Sequence, residues 1–139
     1  MYSAPVVVVA GRHRPHELML LAVSVILGVA YILGAPQPGS LAESLPGWMF
    51  TGWALVMLAS GTLGLIGCFW RDADLGMEIE RGAMVMQAGA IVLYTSGLFA
   101  YAGTRALASG GIAAVWAGAN AWRAVQITRD LRAIDRASP

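Results

Sequence analysis

Four long apolar stretches divide this chain, and eight of its nine arginines fall on one side of them. A run of about 18 or more apolar residues with few charges reads as a membrane-crossing helix. The hydrocarbon core needs ~20 residues at ~1.5 Å rise each. With four such runs in 139 residues, little chain is left for a soluble domain. Composition agrees: 12% of residues are charged and 58% hydrophobic, whereas soluble domains carry roughly a quarter charged residues. The expected fold is all-α, an integral membrane four-helix bundle.

Residues 1–17 form an N-terminal segment with valines at 6–9 and the cluster Arg12-His13-Arg14-Pro15-His16-Glu17. The first span is placed at 18–34 and ends in a run containing Gly34, Pro36, Pro38 and Gly39, which cannot continue a helix. A basic flank before an apolar run also resembles a signal peptide. Leu33 stands where a small residue is needed before a cut, and Pro36 would follow it, so an uncleaved anchor is favoured. The second span, 48–70, is bracketed by Trp48 and Trp70, about 33 Å apart along a helix. Tryptophan prefers the membrane interfaces, so the pair is read as two interface anchors.

The segment 71–82 carries Arg71, Asp72, Asp74, Glu78, Glu80 and Arg81 and reads as a charged loop. Part of it is expected to start the third helix early, with Asp72 or Asp74 as its cap. The third span is placed at 83–103 and the fourth at 108–127, with Trp122 as a further interface anchor. Arg123 is expected to snorkel to the interface on its long stem.

Cytoplasmic loops carry the excess of Arg and Lys. Segments 1–17, 71–82 and 123–139 share one side and hold every arginine except Arg105. Both termini are therefore expected in the cytoplasm, with the protein in the cytoplasmic (inner) membrane.

Helices in lipid associate through small residues and a few hydrogen bonds. Ser60, Gly64 and Cys68 recur at four-residue intervals in the second span. Ala113, Ala117, Asn120 and Ala124 share a stripe in the fourth. In the third, Ala83, Gln87, Ala90, Tyr94, Gly97 and Tyr101 form a stripe that should face protein. Ser60, Gly64, Gln87, Tyr94, Gly97, Tyr101 and Asn120 are thus the expected packing or oligomer contacts. Gln87 and Asn120 lie at similar depth in antiparallel helices. They are expected to hydrogen-bond to each other or to a neighbouring subunit, a bond worth ~0.6–2 kcal/mol in membranes. Separate bonds to backbone carbonyls are an equally weighted alternative.

No catalytic pattern emerges. Cys68 is the sole cysteine, so no intrachain disulfide can form. The net charge of +1 argues against nucleic-acid binding. His13, His16 and Glu17 could bind a metal or sense pH, but a solvated, topology-setting flank is favoured. The acidic residues of 71–82 could form a cation site or an acid–base pair, but lack calcium-loop spacing. The glycines of 61–67 lie inside a membrane helix, where they read as packing. Proton-coupled transporters need an ionisable group near the midplane, and none is expected here. Small four-helix multidrug exporters depend on a deep glutamate in the first helix, which this span lacks. The expectation is a non-enzyme with no cofactor and no metal.

The tail, 129–139, places Arg129, Arg132 and Arg136 on one helical face and Ile127, Leu131 and Ile134 on another. This reads as an amphipathic extension on anionic lipid, at ~1 kcal/mol per arginine as a ceiling. A protein partner at the tail is the competing reading.

The segment Gly67-Cys68-Phe69-Trp70-Arg71, the acidic stretch leading to Glu80-Arg81-Gly82, and the following span with Tyr94 resemble a family of small four-helix membrane proteins of actinobacterial phages. So does the ending from Trp122 through Arg132. The resemblance covers roughly residues 48–132. Members are called holin-like, which implies a homo-oligomer that permeabilises the cytoplasmic membrane. A membrane scaffold or accessory subunit of a larger complex is the alternative, and a small transporter the third.

Overall fold

The computed structural model describes residues 15–137, and every regular element among them is helical. Helix α1 spans Pro15–Ile32 and a short α2 spans Gly39–Ser44. Helix α3 spans Gly47–Phe69, α4 Ala73–Ala102 and α5 Leu107–Ala137. One 3-10 turn, Gly103–Ala106, joins the last two. Three helical stretches are long and apolar enough to cross a membrane: Pro15–Ile32, Gly47–Phe69 and Ala73–Arg136. The third holds two long helices, because the chain doubles back at Gly103. Its φ of 53° lies in the left-handed region that glycine enters without strain.

Successive long helices pack as antiparallel neighbours: α1 on α3, α3 on α4, α4 on α5. Gly28 and Gly61 set the first of these contacts. A Cβ on Gly61 would stand 2.8 Å from the Leu21 carbonyl oxygen, and one on Gly28 would stand 2.7 Å from the Leu58 backbone nitrogen. The interior then has three apolar regions, one of them Ile91, Ala113 and Ala117 between α4 and α5. Leu21, Cys68, Met84 and Ala124 fill the end near the α3–α4 connection. Leu41, Phe50, Trp53, Ala54, Met57 and Ala90 fill the other.

Helix boundaries differ from the expected spans in instructive ways. Helix α1 is described from Pro15, three residues before the expected span. Arg12, His13, Arg14 and the valines lie outside the described residues. The expected 35–47 loop contains α2, whose Leu41 is fully buried on the bundle. The largest difference is α4, which starts at Ala73 rather than 83. Asp72 caps it, its carboxylate accepting from the amides of Asp74 at 3.0 Å and Leu75 at 3.2 Å. The supposed charged loop is thus mostly helix, nearly three further turns of α4. Met77, Glu80, Met84, Gln87 and Ile91 form its buried stripe, while Leu75, Glu78 and Val85 face outward. The tail is likewise continuous with α5 rather than a separate segment.

Candidate functional site

Seven residues are close to two helical turns, so positions seven apart share a face. Glu17 and Ser24 stand in this relation on α1, and Glu80 and Gln87 on α4. Asn120 and Arg123, three apart, share a face of α5. The bundle turns all six inward, in two layers about 10.5 Å apart along the axis.

The outer layer is ionic. Arg123 donates from Nε to Glu80 Oε1 at 2.8 Å, and its Nη2 lies 2.8 Å from the same oxygen. Its Nε also lies 3.6 Å from Glu17 Oε2. Glu80 is fully buried and Arg123 is 9% exposed. One guanidinium thus stands between two carboxylates from two other helices. Glycine makes room for this layer: a Cβ on Gly67 of α3 would stand 2.7 Å from the Glu80 backbone nitrogen. Two expectations are corrected. Arg123 does not snorkel outward, because paired carboxylates on α1 and α4 hold it inside. Glu80 does not belong to a solvated loop, because the early start of α4 carries it into the interior.

The inner layer is neutral. Asn120 Nδ2 donates to Gln87 Oε1 at 3.2 Å, and Gln87 Nε2 donates to Ser24 Oγ. Ser24 Oγ donates in turn to the Leu20 carbonyl at 2.9 Å. The two amides therefore meet within one chain, and Ser24 extends the chain of bonds to α1. All three side chains are buried. Burying such groups without partners is costly, so their mutual satisfaction fixes the relative rotation of three helices.

Beyond the inner layer lies a cavity of about 190 Å³, lined by nine residues including Tyr31, Trp53, Met57, Tyr94, Ala113 and Trp116. Its walls are an aromatic network. Trp53 stacks on Tyr94 at 6.1 Å between ring centroids, and Tyr31 lies 5.8 Å from Trp53. Tyr31 also meets Phe50 edge-on at 5.4 Å. Trp53 Nε1 is anchored on the Ala90 carbonyl at 2.9 Å.

The remaining residues singled out from the sequence fall in three groups. Ser60 and Gly64 are buried; Ser60 Oγ donates to the Met57 carbonyl at 3.2 Å, and Gly64 lies against the Leu21 side chain. Tyr94 and Gly97 are half-buried, but Tyr101 is 51% exposed, so the α4 stripe leaves the interior before its end. Trp48, Trp70 and Trp122 are exposed. So are Arg129, Arg132 and Arg136, with the Arg129 guanidinium 5.7 Å from the Trp122 ring centroid. Sequence reasoning missed Glu17, Ser24, Glu80, Trp53 and Trp116 as interior groups. The matched seven-residue spacings of 17/24 and 80/87 were the available signal.

Among the described residues, no group of three or more His, Cys, Asp or Glu side chains could hold a metal ion. Glu78 and Arg81 pair with each other on the exposed side of α4. The outer seam between α4 and α5 is an open groove of small side chains. Its two sections, one running from Arg81 to Thr128 and the other bounded by Thr95 and Ala114, share Ala88 and Ala121. No protein-family model, curated protein or solved structure matches the chain.

Proposed function

We propose that the chain is a holin-like protein of the cytoplasmic membrane, which assembles with copies of itself and permeabilises the bilayer. The observation that carries this reading is the division of labour between its two kinds of surface. The interior holds ionic and amide groups that satisfy one another within one chain. The outside presents Ile26, Leu55, Val85, Val92, Ile112 and Val115, a surface suited to hydrocarbon rather than water.

The α4–α5 groove supplies a surface for assembly, since small residues let a second helix approach closely in lipid. Ser60, Gly64, Gln87 and Asn120 are spent inside the protomer. The contact between copies is therefore assigned to Ala88, Gly118 and Ala121 on the outer seam. The arginine asymmetry supports an orientation with both termini in the cytoplasm.

Induced expression in a bacterial host tests the proposal. The expected result is an abrupt loss of membrane potential and release of a co-expressed cytoplasmic endolysin. Stable membranes, with a second protein retained through the α5 tail and lost on truncation after Gln126, would favour an accessory subunit instead.

The buried Glu17–Arg123–Glu80 cluster supports a second reading, a small transporter, because ionisable groups inside a membrane bundle mark ion or solute paths. Substrate-dependent proton flux in proteoliposomes would support it, and that flux should vanish in Glu80→Gln.

A further inference from the structure

The aromatic cavity takes its wall from every long helix: Tyr31 from α1, Trp53 from α3, Tyr94 from α4 and Trp116 from α5. Helix α1 packs on α3 and α5 packs on α4, but α1 and α5 do not pack directly on each other. Four rings thus border a space that the bundle leaves unfilled.

The polar part of this wall is small and can be assigned. Trp53 Nε1 is taken by the Ala90 carbonyl, and Trp116 Nε1 is sealed off from any accessible surface. Apart from Tyr31 and Tyr94, the other lining side chains are apolar. The two phenol hydroxyls are therefore the side-chain polar groups that the cavity offers. Neither is sealed off as the Trp116 nitrogen is, and neither forms a hydrogen bond with a described residue. A phenol hydroxyl both donates and accepts, and polar groups withdrawn from water ordinarily find a partner.

We propose that this cavity binds one small neutral aromatic alcohol, phenol being the simplest of the class, with its ring among the four aromatic walls and its hydroxyl bonded to those of Tyr31 and Tyr94.

Size, polarity and charge all bear on the class of ligand. A dry cavity of about 150 Å³ lined by apolar side chains holds one benzene, so about 190 Å³ accommodates one ring with a short substituent. Aromatic walls favour a ring through stacked and edge-on contacts. A ligand hydroxyl matches the wall's polar groups, because it can donate to one tyrosine and accept from the other. Aromatic faces also attract organic cations. However, no residue lining the cavity is charged, and the carboxylates of Glu17 and Glu80 are engaged by Arg123 in the outer ionic layer. Water answers a hydroxyl but gains nothing from the rings, and it needs two to four polar partners.

Phenol and toluene test this as a matched pair, alike in shape and differing in the hydroxyl. Full-length protein with 15N-labelled indoles is placed in phosphatidylethanolamine–phosphatidylglycerol nanodiscs, and its five tryptophan indole resonances are followed by NMR. Phenol should perturb Trp53 and Trp116 with saturation and leave the exposed Trp48, Trp70 and Trp122 without a saturable response. Toluene should perturb the same two indoles but saturate at roughly 3- to 10-fold higher bilayer concentration, the share of one net hydrogen bond.

In the double variant Tyr31→Phe/Tyr94→Phe the preference for phenol should vanish, while toluene still saturates. Ala113→Leu, which fills the space, should abolish both responses with helix content unchanged by circular dichroism. Three results would overturn the proposal: non-saturating shifts at all five indoles, saturation by the two ligands at equal bilayer concentration, or a preference for phenol that survives in the double variant.

Discussion

Arg123 is the residue on which the interior most depends. Its guanidinium meets Glu80 at 2.8 Å and Glu17 at 3.6 Å, from a position nine-tenths buried. Removing one partner of a buried ion pair leaves the other charge uncompensated, at a cost of about 3–5 kcal/mol, whereas replacing both by apolar groups is often neutral. Arg123→Met should therefore lower stability in detergent by that amount, and Glu80→Leu/Arg123→Met should recover most of it. Equilibrium unfolding of the two variants checks the ordering. Gln87 is the corresponding residue of the neutral layer, bonded to both Ser24 and Asn120. A double-mutant cycle of Gln87→Leu with Asn120→Leu should give a coupling of about 0.6–1.7 kcal/mol. A coupling near zero would mean that the two amides do not meet.

At the scale of elements, the cap and the close contacts can be tested separately. Asp72→Ala removes the acceptor for two amides at the start of α4 and should cost about 0.5–2 kcal/mol. Gly67→Ala drives a methyl group into the backbone of α4 at Glu80. It should cost about 1–3 kcal/mol, the usual range for overpacking. These elements also show what was legible in sequence. Hydropathy was enough to locate the long helices, and Asp72 was a recognisable cap. The early start of α4 was expected, but the burial of Glu80 was hidden because Glu78 and Arg81, on the exposed side of segment 73–82, made it read as a charged loop. Its inner stripe of Met77, Glu80, Met84 and Gln87 carries the helical period. A charge buried by a partner on a distant helix has no local signature, so Arg123 read as a snorkelling residue. The cavity was equally illegible, since Tyr31, Trp53, Tyr94 and Trp116 come from four different helices.

At the scale of the whole molecule, two surfaces carry the account. If the arginine-rich rim faces the cytoplasm, as proposed, reporter fusions at residue 139 should be active on the cytoplasmic side and fusions in the 103–106 turn on the opposite side. The α4–α5 seam is the proposed contact between copies. Ala121 is exposed and common to both sections of the groove, so a larger side chain there fills the groove without entering the interior.

The membrane potential of induced cells expressing the wild type or Ala121→Leu, at matched levels of inserted protein, tests the central claim most directly. Collapse of the potential is expected with the wild type, and its retention with Ala121→Leu. A wild-type chain that inserts fully while the potential stays intact would contradict it.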